Sequence, residues 1–132
     1  MTDCRFCEPK YQKERNVLDN RHFFANFDSN PVTEGHMKIM PKRHVNSFFD
    51  LSSEEITAAY DLLKKAKKML DDKFRPDAYN IGVNDGKAAG QTVFHLHIHL
   101  IPRYLGDVKD PIGGVRNVIP EKGNYMKNRN SV

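Results

Sequence analysis

With 132 residues the chain has the length of one domain and can bury roughly two-thirds of its unfolded surface without covalent staples. A hydrophobic fraction of 39%, with 8 Gly, 7 Pro and 2 Cys, excludes a disordered, collagen-like or disulfide-scaffold protein. The net charge of +4 suits anionic ligands such as nucleotides and phosphates, although so small an excess serves solubility equally well.

No apolar run approaches the ~18 residues of a membrane span. The start, Met1-Thr2-Asp3-Cys4-Arg5, lacks the apolar core of a secretory leader, so the expectation is a soluble protein of the cytoplasm. The first sixteen residues read as polar and irregular apart from Cys4 and Cys7. Residues 17–27 are richer in apolar side chains and turn at Asp19-Asn20, which predicts a short hairpin. Asp28-Ser29-Asn30-Pro31 breaks the chain, and residues 36–40 form a strand closed by Pro41. The main helix follows. Ser52 is a good N-cap and Glu55 completes a capping box. Ile56, Ala59, Tyr60, Leu63, Ala66, Leu70 and Phe74 recur at helical spacing until Arg75-Pro76 stops the run. Lys64, Lys65, Lys67 and Lys68 line its outer side and read as a solvated face.

Residues 78–83 form a strand, a polar loop runs through 84–91, and a stronger strand covers 93–101, ended by Pro102. One loop of that length predicts an antiparallel pair, since a parallel connection needs a longer crossover. Residues 113–120 read as an ordered loop with a short strand, and the polar end from Glu121 onward as frayed. The class is α+β, a small antiparallel meander sheet with one main helix. The whole chain, 1–132, is one domain with its core at about 4–104 and an extension over 105–132.

Three of the six histidines fall within five residues, His95-Leu96-His97-Ile98-His99. Side chains on a strand alternate faces, so the imidazoles share one face, roughly 6–7 Å apart, and the aliphatics pack on the other. Two chemistries fit such a row: a transition-metal site, or an imidazole nucleophile oriented by its neighbours. No Asp or Glu lies on that strand, and the preceding loop ends in Gly90-Gln91-Thr92, rich in donors for phosphate oxygens. Both facts favour the nucleophile. Cys4-Arg5-Phe6-Cys7 is a lone C-x-x-C and leaves four readings open: a disulfide, a redox pair, half of a zinc site, or two unrelated thiols.

The run from His95 to Ile101 resembles the His-φ-His-φ-His-φ-φ signature (φ, hydrophobic) of the histidine triad (HIT) superfamily. Asn84-Asp85-Gly86 and Ala89-Gly90-Gln91-Thr92-Val93 resemble its phosphate loop, and Gly35-His36-Met37-Lys38-Ile39-Met40-Pro41-Lys42-Arg43-His44 its upstream strand and turn. The stretch over 113–125 is similar to the tail of members related to dinucleoside polyphosphate hydrolases. The resemblance implies that His97 attacks the α-phosphorus of a nucleotide to form a covalent nucleotidyl-histidine. It implies that His99 bonds a phosphate oxygen or protonates the leaving group, and that His95 orients the nucleophile through its backbone carbonyl. Asn84, Gln91 and Thr92 would hold phosphate, and Asp28 the ribose hydroxyls. Phe27, Asn26 and Phe6 are candidates for the nucleoside wall, core packing being the competing reading for each. His36 has a buried supporting place. In C-x-x-C members the resemblance also supplies a structural Zn²⁺ held by Cys4, Cys7, His44 and His95. It implies a homodimer and a hydrolase of dinucleoside polyphosphates, the diadenosine tetraphosphate type. The rivals are a nucleoside phosphoramidase and a nucleotide-binding protein with little turnover. No appended finger or aromatic–basic stripe speaks for nucleic acid.

Overall fold

The computed structural model describes residues 4–127. The leader expectation at Met1-Thr2-Asp3 and the part of the expected C-terminal fraying on 128–132 lie outside the described residues; over 121–127 the chain is held, with Asn124 Nδ2 donating to Asp110 Oδ2. Five antiparallel strands form one sheet: β1 (Leu18–Asp19), β2 (Phe23–Phe27), β3 (Met37–Pro41), β4 (Ala78–Val83) and β5 (Ile98–Arg103), in the order β1-β2-β3-β5-β4. The meander therefore stops at β3. The hairpin of β4 and β5 enters with β5 against β3, which makes the histidine-bearing strand central and leaves β4 at the edge. The β1–β2 hairpin forms as expected, closed by Asn20, whose side-chain oxygen accepts the backbone N–H groups of His22 and Phe23.

The long helix, α2 (Ser53–Phe74), starts on the expected box: Ser52 Oγ accepts the Glu55 N–H and Glu55 Oε1 accepts the Ser52 N–H. It ends where Arg75 turns left-handed at φ 51° ahead of Pro76. Its buried stripe is Ala59, Leu62, Ala66 and Leu70, preceded by Glu55. Ile56 and Tyr60, expected inside, are 39% and 60% exposed. The helix is rotated because Arg43 and the capping box draw the Glu55 carboxylate against the body of the protein, which turns positions 56 and 60 outward. The stripe packs on Phe23, Ala25, Met37, Ile39, Ile98 and Leu100 of one sheet face.

The opposite face is half covered. There Phe24 and Met40 lie under Phe6 and Tyr11, delivered by a 3₁₀ turn at Arg5–Cys7 and a helix, α1 (Pro9–Arg15). The sequence reading left this segment irregular. Tyr11 is the single buried side chain of α1, so there is no apolar period to detect. Pro9 opens the helix, and Gln12 docks it by donating to Phe6 O and Lys42 O at 2.9 and 3.1 Å.

Two other boundaries differ. β5 begins at Ile98, because residues before it leave the ladder: Leu96 N–H bonds Val45 O at 2.7 Å. It continues through Pro102, past its last rung with β3 at Leu100, where that side has no strand left to bond. In the C-terminal extension, Gly114–Val118 and Pro120–Lys122 are 3₁₀ turns in place of a strand. Gly113 and Gly114 at positive φ start the coil, and Arg116 ties it by donating to Lys122 O and Gly123 O. No described helix is long and apolar enough to cross a membrane.

Candidate active site and the cysteine–histidine cluster

The uncovered half of the second sheet face holds a cleft of about 310 Å³. Asp28, Asn84, Thr92, His97 and His99 line it together with Phe6 and Lys38. The sheet sets their spacing. Asp28 follows β2 and donates its N–H to His36 O, Lys38 of β3 stands beside His99 of β5, and His99 stands beside Gly82 of β4. The space over Gly82 is open, an added Cβ meeting nothing within 4 Å.

Backbone partners decide where each histidine carries its proton, because a carbonyl only accepts and an N–H only donates. His97 Nδ1 lies 2.9 Å from His95 O, so Nδ1 holds the proton and Nε2 keeps its lone pair. His36 Nδ1 accepts the Val32 N–H at 3.0 Å. Its proton is therefore on Nε2, which donates to His99 Nδ1 at 2.9 Å. That leaves His99 protonated on Nε2. The cleft thus holds His97 with a bare Nε2 beside His99 with an Nε2–H, ring centroids 5.0 Å apart. Burial keeps both uncharged. It lowers the His97 pKa below the usual histidine value, with Lys38 assisting against the His95 carbonyl. It holds His99 at about 4, with His97 and His36 adding to the effect. Asp28 Oδ2 lies 3.6 Å from His36 Nε2 and 3.9 Å from His99 Nδ1.

The first histidine has different partners. His95 Nε2 donates to Pro41 O at 2.8 Å, so Nδ1 is bare. It lies 3.2 Å from Cys4 Sγ and 3.3 Å from Cys7 Sγ, while His44 Nδ1 lies 3.2 Å from Cys7 Sγ. All four donor atoms lie within 4.8 Å of one another. Two sulfurs and two imidazole nitrogens at such separations match a tetrahedral ion bound at about 2.3 Å to sulfur and 2.0 Å to nitrogen. The Pro41 carbonyl supplies the orienting partner that metal-bound histidines ordinarily have. The donor set fits zinc.

Comparison with known proteins agrees with this geometry. The model described as the HIT domain matches residues 10–106. The chain belongs to the HIT family. An uncharacterised HIT-like protein of Methanocaldococcus jannaschii is 40% identical over 105 residues, 77% of this chain and 79% of that one. The asymmetrical bis(5'-nucleosyl)-tetraphosphatase of Schizosaccharomyces pombe is 38% identical over 80 residues, 61% of this chain and 44% of that protein. A zinc-bound histidine triad protein from Mycobacterium smegmatis superposes with a TM-score of 0.71 at 30% identity, covering 82% of this chain and 80% of that one.

In this HIT domain, not every residue singled out from the sequence reaches the cleft. Gln91 is buried and spent within its loop: Oε1 accepts the Gly86 N–H, and Nε2 donates to Asn46 O and Val93 O. It shapes the loop over 84–92 from behind. Asn26 is 1% exposed, beneath the cleft floor, with Nδ2 donating to Tyr11 OH. Phe27 turns to the helix side and packs edge-on to Phe74 with centroids 6.4 Å apart. Phe6 does border the cleft, but mostly buried, edge-on to His97 at 5.5 Å. Lys38 was missed. Its signal was present: residues 36 and 38 alternate with apolar Met37 and Ile39, as the histidines alternate with Ile98, so both pairs had to share a face.

Proposed function

We propose that this protein is a nucleotide hydrolase that cleaves dinucleoside polyphosphates through a nucleotidyl-histidine at His97. The observation that carries the reading is the proton on His97 Nδ1, held by the His95 carbonyl, which leaves Nε2 as a lone pair in the cleft. Nε2 forms a bond to the α-phosphorus while the bond from that phosphorus to the bridging oxygen of the leaving chain breaks. His99 Nε2–H donates a hydrogen bond to the leaving oxygen, and the chain departs as a phosphate anion. The His95 carbonyl stabilises the positive ring that results. Water then attacks phosphorus, the N–P bond breaks, and a nucleoside monophosphate leaves with His97 neutral again. Such transfer asks mainly for alignment and charge stabilisation. Asn84 and Thr92 stand in the cleft as phosphate donors and Asp28 as acceptor for two ribose hydroxyls. The tetraphosphatase relative supports the substrate class.

Cys4, Cys7, His44 and His95 would hold a structural zinc, as the zinc-bound relative suggests. With four protein ligands and no open position, the ion would pin the N-terminal segment beside the catalytic residues and activate no water. Thiolate ligation suits the cytoplasm. We also read the exposed edge of β4, where Ile81 is 54% exposed, as the seam of a homodimer.

Incubation of the wild type and His97→Ala with diadenosine tetraphosphate tests the chemistry. AMP and ATP from the wild type alone support attack at an α-phosphate. ADP and ATP formed only with added orthophosphate would keep the covalent step and change the acceptor. Two ADP, or equal turnover by the variant, would sink the assignment. Turnover of a phosphorus–nitrogen substrate without any of the anhydride would favour a phosphoramidase, and no turnover of either a binding protein.

A further inference from the structure

Lys38 sits in the middle of β3 and is only 7% exposed. Burying an ammonium is costly unless acceptors or a counter-charge surround it. Here the surroundings are thin. Its three donors have the Tyr11 hydroxyl at 3.3 Å and, 4.7 Å away, the centre of the Phe6 ring. Among the described residues no carboxylate lies within ion-pair distance of its Nζ. Beside it on β2, Asn26 keeps its Oδ1 without a partner. An under-satisfied buried cation that borders a cleft is built to meet an acceptor from outside.

The sheet register tells which part of a nucleotide that acceptor belongs to. Lys38 stands directly between Asn26 and His99. One step along the same face, two residues on, Asp28 lies beside His36. One step the other way, continuing the β3–β5 register, His97 falls beside Met40. Lys38 is thus at the midpoint of the diagonal from Asp28 to His97, one strand spacing of roughly 4.8 Å and two residues from either end. A nucleotide with its ribose on Asp28 and its α-phosphorus at His97 must cross over Lys38. The side chains of Asn84 and Thr92, which border the phosphate side, carry no charge. Arg5 also borders the cleft but is exposed.

We propose that Lys38 is the α-phosphate anchor: its ammonium exchanges the Tyr11 hydroxyl for a non-bridging oxygen of the nucleotide's α-phosphate and holds that charge while the phosphorus is attacked. The assignment rests on the nucleotide reading of the cleft and adds the missing full positive charge to it. A preorganised cation in a site shielded from water strengthens most where charge is concentrated. Tyr11 holds the ammonium in place when the cleft is empty, which limits the reorganisation needed on binding.

Calorimetric binding of AMP and of adenosine to the wild type, Lys38→Met, Lys38→Arg and Tyr11→Phe tests the anchor without turnover. Methionine keeps the stem and removes the charge. The expected result is a loss of roughly ten- to a hundredfold in AMP affinity for Lys38→Met, the range of one charge-assisted hydrogen bond, with adenosine unchanged. Lys38→Arg recovers part of the loss. Tyr11→Phe retains the preference for AMP over adenosine, because the charge remains; if Lys38→Met does not fold, a loss of AMP affinity without loss of adenosine affinity in Lys38→Arg decides the matter. Equal losses for AMP and adenosine would place Lys38 on the nucleoside and overturn the anchor, as would unchanged AMP binding. A wild type that binds neither ligand would overturn the nucleotide reading and the anchor together. Wild-type AMP binding lost in Lys38→Met stands even if His97→Ala still turns over, so the two claims fail separately.

Discussion

The segment that carries His44 is tied to the main helix by a polar latch, and its strength can be worked out. Arg43 donates from Nε to Glu55 Oε2 at 2.6 Å and from Nη2 to Glu55 Oε1 at 2.9 Å, and Oε1 also accepts the Ser52 N–H at 2.9 Å. These bonds, the Arg43 pair foremost, lower the Glu55 carboxyl from 4.5 to about 2. At about 1.36 kcal/mol per unit, that depression corresponds to roughly 3 kcal/mol. The Arg43 side chain is 53% exposed, so solvent screening reduces the contribution to about 1.5 kcal/mol. Glu55→Gln keeps the shape and loses the charge. On a domain of this size the expected drop in Tm at pH 7 is about 5 °C. The folded pKa is below the unfolded one, so this stability is present above pH 4.5 and is lost as pH falls through about 2. Scanning calorimetry of both proteins at pH 7, 4 and 2 should therefore show a gap that closes on acidification. A variant as stable as the wild type at pH 7, or a gap undiminished at pH 2, would refute the latch. Arg43 adjoins His44, so the same variant should lose metal to a chelator faster.

Three further outcomes follow from the site and its frame. Burial depresses His97 and His99 below the usual histidine value of 6.5, so the neutral forms persist below neutrality. The acid limb of kcat/KM against pH should be centred below 6.5, and a limb at or above that value would contradict the neutral pair. Cys7→Ser and His44→Ala should each lower bound zinc, measured by elemental analysis, whereas His99→Ala should leave the metal content unchanged; loss in His99→Ala alone would move the ion to the cleft. Gly35 has φ +90° and its added Cβ would meet Phe74 Cδ2 at 2.9 Å. Gly35→Ala should therefore cost about 1–3 kcal/mol in denaturant unfolding, and a neutral result would show that Phe74 yields.

What the sequence made legible depended on periodicity. The box at Ser52 and Glu55 and the stop at Arg75-Pro76 bound α2 closely, because both are local chemistry. The rotation of that helix was not legible: apolar Ile56 and Tyr60 fit a helical stripe as well as Leu62, and only the distant Arg43 decides between the faces. Alternation over residues 95–101 found the histidines but extended the strand too far back, since a ladder ends where partners end. Gln91 shows a different limit. Its position in a donor-rich loop suggested phosphate, yet a long amide can reach three backbone groups of its own loop and the adjoining chain, and here it does. α1 escaped notice because its one buried side chain, Tyr11, and the hydrogen bonds of Gln12 and Arg15 to the body leave no apolar period.

Three identical side chains at even spacing suggest three equivalent groups, and their backbone partners make them different. His95 donates to Pro41 O and thereby turns a bare nitrogen toward two sulfurs. Its own carbonyl accepts a hydrogen bond from His97 Nδ1–H and so bares the other nitrogen of that ring. His36, fixed by the Val32 N–H, gives His99 the opposite tautomer to His97. The consequence is mechanical as well as chemical. His95 contributes its ring to the cysteine–histidine cluster and its carbonyl to His97. A displacement of Cys4 or Cys7 would therefore reach His97 through one residue, without any contact between the cluster and the cleft's ligand. Cysteine variants should then lower kcat more than they raise KM, because the orientation of His97 is disturbed while the groups that hold ribose and phosphate stay in place. A rise in KM alone would show that the cluster supports only the wall of the cleft.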